Sequence, residues 1–344
     1  MVDAAVRPRQ RAREGPLLGV VGTLVWDKIS RGNPAAGTLT GWGGIGYALE
    51  ALTVALSEPW SIGPIVKVGQ DRAEEAFRFL RSLPRVRTAP GVVVVPEPNN
   101  EVEMHYAGHV RVTERLTGGV PPWTWEELAP LIRRCDALYL NFISGFEMEL
   151  GTARRLRAEF AGPTYADLHS LFLGLGRSGE RVPQPLLHWT EWLCCFDAVQ
   201  MNEAEFALLG HARGDPLKLA ADAVGPALKL INVTLGPRGA AYVASPCFDP
   251  DPFTWPVRRA GLAAPGPVRS ARVEGAAVAE GEGDPTGCGD VWGASCFSGL
   301  LAGSSLEDAM AEANRRAARN VEHRGALGLG RHLDRQIDPA PGVK

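Results

Sequence analysis

No run in this chain approaches the roughly 18–20 consecutive apolar residues that a bilayer-spanning helix requires, so no segment reads as a membrane anchor. Nor does an apolar stretch of signal-peptide type follow the alternating Arg7, Arg9, Arg11 and Arg13 within the N-terminal tail. Residues 1–16 read as a disordered tail, and Leu17–Val25 reads as the first strand. Pairs of the C-x-x-C type and histidines at metal-ligand spacing are both missing. The six cysteines (Cys135, Cys194, Cys195, Cys247, Cys288 and Cys296) therefore read as buried thiols of a reducing compartment, and a cytoplasmic location is expected. A strong excess of one charge is also lacking: the formal net charge is −3, which gives no reason to expect a nucleic-acid or acidic-membrane partner. Finally, no G-x-x-x-x-G-K-[ST] occurs, which argues against a P-loop phosphate site.

What is present is a chain of 344 residues, 45% hydrophobic, long enough for one large α/β domain or two smaller ones. Ile62–Val68 reads as a buried strand, and Gln70–Leu83 as a helix with Ala73, Phe77 and Leu80 at helical spacing. Between about Arg87 and Thr113 the texture changes. Glu101–Tyr106 alternates, with Val102, Met104 and Tyr106 on one face, flanked by short strands at Val92–Val95 and Val110–Thr113. One-sided strands of this kind suit an antiparallel sheet that covers something. After Pro121 strand and helix alternate: strands at Ala137–Phe142, Thr164–Asp167, Ala198–Met201 and Leu228–Leu235, helices at Trp125–Cys135, Leu150–Phe160 and Leu217–Val224. That alternation predicts a mostly parallel sheet with helices on both faces, whose ligands bind beyond the carboxyl ends of the strands. A helix from Asp290 to Leu301 follows, then another begun by a Ser304/Glu307 capping box and ended near Gly325.

The segment Asp284-Pro285-Thr286-Gly287-Cys288-Gly289-Asp290 is the strongest chemical signal. Small residues ahead of a helix let backbone N–H groups approach an anion, and the helix N-terminus adds favourable potential. A carboxylate at that mouth can take a proton from a hydroxyl. The same pattern also describes a simple N-cap after a glycine turn.

This segment resembles the C-terminal motif of ribokinase and phosphofructokinase-B type carbohydrate kinases, D-T-x-G-A-G-D. Further segments match in order: Gly43-Gly44 resembles the family's di-glycine, Asn202-Glu203-Ala204-Glu205 its N-x-x-E, Val233–Gly236 with Gly239 its T-L-G segment, and Asn314 through Arg324-Gly325-Ala326 its adenine strip. The resemblance spans about Leu17–Leu333 and implies an αβα sandwich (17–335) with a small β lid. The lid would fall mainly at 88–115, with part of 30–41. It implies ATP-dependent phosphorylation of a hydroxyl on a small polyhydroxylated acceptor, a sugar first and a nucleoside second. By resemblance, Asp290 is the base. The N–H groups of Gly287, Cys288 and Gly289 hold the transferred phosphate. Asp27, Gly43 and Gly44 meet the acceptor, and Thr234, Gly236, Gly239, Asn314 and Gly325 meet ATP. Asn202 and Glu205 position Mg²⁺ largely through water, although N-x-x-E is equally a helix-capping box. A monovalent cation and a homodimer formed through the lid are further implications.

Three departures stand out. Ala48 replaces the family's Asn, and Pro285 and Cys288 replace its Thr and Ala. Where relatives carry an Arg after the Asp167 strand, the nearest here are Arg177 and Arg181. Trp26, Trp42 and Tyr47 lie in segments that should wall the acceptor pocket, with core packing as the alternative. Lys28 and Arg31 are the only cations near Asp27 in the sequence, which favours a neutral acceptor over a sugar phosphate. Two other readings compete. Gly41-Trp42-Gly43-Gly44-Ile45-Gly46 is a literal G-x-G-x-x-G, but Asn33–Thr40 ahead of it is a poor strand for a dinucleotide site. A non-catalytic ligand-binding regulator on the same scaffold draws its support from Ala48.

Overall fold

The computed structural model describes residues 15–31, 37–107, 110–210, 214–257, 266–277 and 283–334. Most of the expected tail, 1–14, lies outside them, whereas Pro16 is already tied to the sheet, its carbonyl accepting from Ser61 N at 2.9 Å.

The strands in chain order are β1 (Leu17–Val21), β2 (Leu24–Arg31), β3 (Thr38–Gly44), β4 (Ser61–Gly69), β5 (Val92–Val95), β6 (Glu101–Ala107), β7 (Val110–Thr117), β8 (Ala137–Asn141), β9 (Thr164–Asp167), β10 (Leu173–Leu175), β11 (Arg181–Pro183), β12 (Ala198–Asn202), β13 (Leu230–Thr234), β14 (Ala240–Ala244) and β15 (Arg269–Val273). Nine of them form one sheet in the order β15-β14-β13-β12-β9-β8-β1-β4-β5. Its pairs from β13 through β5 are parallel, and β14 and β15 add an antiparallel edge. Parallel strands covered on both faces need apolar residues on both sides. Along β1, Leu18 and Val20 enter the core shared with helices Ile45–Ala55 and Cys288–Leu301, while Val21 enters the opposite core with Leu138, Leu140 and Phe142. Each fully buried Leu, Val or Phe contributes about 1.5–3 kcal/mol relative to exposure, which fixes the layer order.

A second sheet, β3-β2-β6-β7, forms the lid. Its inward face carries Val25, Ile29, Val102, Met104, Tyr106 and Leu116, a small core of its own. The alternation read in Glu101–Tyr106 is thus realised. The hairpin β10–β11 lies against the lid's edge strand, with Leu116 N donating to Gly179 O at 2.9 Å.

The structure corrects several expectations. Leu17–Val25 is not one strand: it breaks at Gly22, where a Cβ would lie 2.2 Å from Ile45 Cγ2, and Leu24 opens the lid strand. Asp27 therefore reaches the site from the lid, not from the end of the central strand. Val92–Val95, expected in the lid, pairs in parallel with β4 at the edge of the central sheet. Four consecutive valines, all β-branched, suit a strand, and this one is the sheet's edge, with only Val95 buried. Of the stretch 30–41, Ser30 and Arg31 end β2, Thr38–Gly41 begin β3, and 32–36 lies outside the described residues. The last long helix runs Leu306–Asn320 and is capped by Ser305, whose Oγ accepts from Asp308 N at 3.1 Å, not by Ser304 with Glu307.

Candidate active site

The loop ahead of helix Cys288–Leu301 is held from both sides. Asp284, 2% exposed, accepts Thr286 N on Oδ1 at 3.0 Å, and Asn320 Nδ2 donates to Thr286 O at 2.8 Å. Gly287 sits at φ +79°, and a Cβ there would lie 2.2 Å from the ring of Tyr47. No residue with a side chain fits between that ring and the turn. The first N–H groups of a helix have no intrahelical acceptor. Here Cys288 N, one of the N–H groups expected at the phosphate, donates to Pro285 O at 3.2 Å in the turn. Its thiol points toward helix Leu306–Asn320, accepting from Asn320 Nδ2 at 3.2 Å and donating to Ala317 O at 3.4 Å, and burial pushes it up to about 12. Cysteine thus occupies this position without entering the site. Gly287, Gly289 and Asp290 line a cavity of about 330 Å³.

Into the same cavity the fold brings Asp27, Gly44, Thr234, Asn202 and Glu205, as the sequence reading grouped them. Asp27 is 5% exposed, and its carboxylate fills the space in front of Gly43: a Cβ on Gly43 would lie 1.8 Å from Asp27 Oδ2. Gly43 therefore makes room for Asp27. Gly44, at φ +57°, starts helix Ile45–Ala55 and is pressed against Thr23 O. Lys28, the cation noted beside Asp27, pairs with Glu101 at 2.5 Å.

The structure also recruits residues the sequence reading had not placed in the site. Asn141, 1% exposed at the end of β8, donates through Nδ2 to Asp290 Oδ1 at 2.6 Å. Asp167, at the end of β9, accepts from Gln200 Nε2 at 2.9 Å and from His169 N at 3.2 Å. Burial first, and then the negative charge of Asp290, push the Asp167 carboxyl up to about 8. Gln200 also donates to Gly289 O at 3.0 Å, joining the central sheet to helix Cys288–Leu301. Both Asn141 and Asp167 end apolar strands, and that position was the available signal. From the lid, Tyr106 Oη lies 3.1 Å from Thr286 Oγ1, a hydrogen bond that brings the lid onto the glycine loop.

Asn202 and Glu205 form the capping box that their spacing also allowed. Glu205 N donates to Asn202 Oδ1 at 2.9 Å, and Asn202 N donates to Glu205 Oε2 at 2.7 Å. Glu205 Oε1 is further engaged by His169 Nδ1 at 2.5 Å. No group of three or more His, Cys, Asp or Glu among the described residues has the arrangement of a metal centre. The oxygen-rich wall fits a hydrated hard cation held through water, not a cage of protein ligands.

The residues expected around the nucleotide separate. Thr234 lines the cavity. Gly236 (φ +60°) and Gly239 (φ +93°) shape the turn from β13 to β14, where Leu235 N donates to Gly239 O at 2.8 Å and a Cβ on Gly239 would lie 2.2 Å from Val273 O. Asn314 is committed to architecture: Oδ1 accepts from Trp292 Nε1 at 2.7 Å, and Nδ2 donates to Glu274 O at 2.8 Å. Gly325 lines a second chamber of about 630 Å³ with Trp26, Trp42, Phe79, Leu39 and Arg78. Asp27 and Tyr47 line both spaces. Trp26 stands edge-on to Trp42 with centroids 5.3 Å apart, and the Arg72 guanidinium lies 4.1 Å from the Trp26 ring centre. Arg181, 8% exposed, donates to Ser170 O at 3.3 Å and lies 3.9 Å from Glu114, bracing the lid, whereas Arg177 is exposed.

No protein-family profile matches the chain, and no curated protein matches it. Solved structures do. A pyrophosphate-dependent kinase in the ribokinase family, in complex with sulfate, is 18% identical with a TM-score of 0.67, over 92% of this chain and 99% of its own. Ribokinase from Thermotoga maritima is 16% identical with a TM-score of 0.66, over 93% and 98%. A nucleoside kinase from Burkholderia thailandensis, in complex with inosine, is 14% identical with a TM-score of 0.68, over 95% and 99%. The fold is ribokinase-like: a large, mostly parallel sheet between helices, with a small lid sheet.

Proposed function

On this ribokinase-like fold, we propose that the chain is a kinase that moves the terminal phosphoryl group of ATP to a hydroxyl of a small polyhydroxylated acceptor, a sugar in the first instance. One observation carries the reading. Asp290 stands in the first turn of a buried helix behind a glycine loop, and its carboxylate shares one cavity with Asp27 from the lid. Phosphoryl transfer asks little more of a protein than an oriented nucleophile and a stabilised anion. Asp290 takes the hydroxyl proton, Asn141 orients its carboxylate through Oδ1, and the helix N-terminus with Gly287 and Gly289 receives the phosphoryl charge. Asp27 holds the acceptor. Mg²⁺ carried by the donor phosphates would neutralise charge beside Asn202 and Glu205, contacted through water. Thr234 faces the donor side of the same cavity.

A second reading, a nucleoside acceptor, draws on the chamber of Trp26, Trp42 and Phe79, whose apolar faces suit a flat ring. Association through the lid would use the β3 edge or the outer face, because β7 already meets the chain's own hairpin. The test is ADP release by the purified protein with Mg²⁺ and ATP against ribose, fructose, myo-inositol, adenosine and inosine. Turnover that disappears without a divalent ion supports the reading. No turnover with any of these acceptors would remove it and favour a binding protein.

A further inference from the structure

Among the described residues, Tyr47 is a buried polar side chain at the cavity wall that the proposed reaction leaves unused. The residue is 2% exposed, and its hydroxyl has no hydrogen-bond partner among the described residues. A buried hydroxyl left without a partner costs about 1–3 kcal/mol, so its retention points to a role. Its surroundings supply one. The ring lies against Gly287, close enough that a Cβ on Gly287 would collide with it. The charges that act on the phenol are those of Asp27, Asp284 and Asp290, and Tyr47 lines both the reacting cavity and the indole chamber. Tyr47 therefore shares both spaces with Asp27 and one of them with Asp290, the carboxylates assigned to hold and to deprotonate the acceptor. One residue further on, Ala48 stands where the resembling family has Asn; it is fully buried in the apolar core and presents no polar atom.

We propose that Tyr47 is the acceptor-positioning group of this chain, its phenol O–H donating to the oxygen of the acceptor hydroxyl whose own proton is directed at Asp27. The inference rests on the kinase reading given above. A hydroxyl is donor and acceptor at once. Asp27, ionised, can only accept, so the lone pairs of that hydroxyl need a donor. A phenol meets the need as long as it keeps its proton, and burial, followed by the nearby carboxylates, holds Tyr47 well above its ordinary range. Ring contact with Gly287 sets the distance from this hydroxyl to the phosphoryl-binding loop. Tyr47 thereby replaces the amide lost at Ala48 from an adjacent position on the same helix.

Tyr47→Phe keeps the ring on Gly287 and deletes only the hydroxyl. With the best acceptor found among ribose, inosine and myo-inositol, KM for the acceptor should rise about 10- to 100-fold while KM for ATP stays within twofold, the loss expected for one hydrogen bond to a ligand. A deoxy analogue of that acceptor, lacking the hydroxyl next to the reacting one, should show the same kcat/KM with wild type and variant. The free variant should melt at or above the wild-type temperature, because the deleted hydroxyl has no partner among the described residues. A fall in melting temperature with unchanged acceptor KM would overturn the proposal in favour of a structural hydroxyl. An active wild type with identical kinetics in the variant would overturn it alone. A wild type inactive on every acceptor would instead overturn the kinase reading on which it rests.

Discussion

In the reacting cavity, carboxylates from separate elements converge: Asp27 from the lid, Asp167 from a strand end, Glu205 and Asp290 from the starts of two helices. The chamber beside it is walled by Trp26, Trp42, Phe79, Ile29 and Leu39, with further charge at Glu75, Arg78 and Arg324. The two spaces share Trp26's neighbour Asp27 and the ring of Tyr47, and differ in nearly everything else. On the kinase reading proposed above, the difference separates two tasks. Moving a proton and stabilising a phosphoryl group require ionisable groups at fixed positions, each held by a second polar group such as Asn141 or Gln200. Choosing an acceptor requires shape and surface, which aromatic faces provide without being consumed by the chemistry. Substitutions in the first space should therefore act on kcat for every acceptor, and substitutions in the second on the ranking of acceptors.

The most severe break in that comparison is Asp290→Asn. The amide keeps the shape but cannot take the hydroxyl proton, so kcat should fall about 10²–10⁴-fold with all acceptors while ATP binding persists. Near-normal turnover in single-turnover assays would remove Asp290 from the chemistry and leave it as a helix-start residue. Gly43→Ala tests the shared wall. Its Cβ would lie 1.8 Å from Asp27 Oδ2, so the carboxylate must turn away. The clash takes in the whole buried carboxylate, with Cγ at 2.3 Å, so the melting temperature should fall as well. Meanwhile kcat/KM should drop about 10- to 100-fold, the value of a charged hydrogen bond. A variant as active as the wild type would mean that Asp27 does not hold the acceptor. Trp26→Leu sharpens the chamber's side of the argument. It removes an aromatic face and the stack under Arg72. The kcat/KM for inosine relative to ribose should fall about tenfold, and an unchanged ratio would assign the chamber no part in acceptor choice.

How much of this was legible in the sequence differs between the same two spaces. The glycine loop and Asp290 could be read because a run of small residues before an apolar helix marks a close backbone approach at a helix start. Asp27 could be read as a residue but not as a lid residue, because nothing in Leu17–Val25 marks the break at Gly22 except the collision with Ile45 from a distant helix. Asn202 and Glu205 carried two readings on one spacing, and their hydrogen bonds realise the capping one while leaving both at the cavity. Asn314 was placed by order along the chain, which says nothing of the Trp292 indole that occupies its oxygen. The antiparallel strands Ala240–Ala244 and Arg269–Val273 escaped the sequence because the first, though buried, is alanine-rich and so low in strand propensity, and the second is exposed for most of its length. Asp167 was visible as the end of a strand, but its altered ionisation depends on burial and on Asp290, both products of the tertiary fold.

That ionisation gives the smallest expected effect on turnover and a separate one on stability. Unfolded, an aspartate loses its proton near its ordinary 3.8; folded, Asp167 holds it up to about 8, with burial as the main cause. Because the folded-state value is the raised one, the folded protein binds the extra proton between those limits. The contribution of Asp167 to stability is therefore complete below about pH 4 and is lost progressively as pH rises toward 8. Asp167→Asn resembles the protonated acid and has nothing to ionise. Its amide oxygen can still accept from Gln200 Nε2, while its NH₂ cannot serve His169 N, so one of the two hydrogen bonds seen at Asp167 is forfeited. At pH 5 the variant should melt slightly below the wild type for that reason. As pH rises to 9 the wild-type melting temperature should fall more steeply, so that the two curves converge or cross, with kcat at neutral pH changed no more than severalfold. Parallel melting curves from pH 5 to pH 9 would show that Asp167 is ionised throughout, and the charge beside Asp290 would then have to be balanced by another group in the cavity.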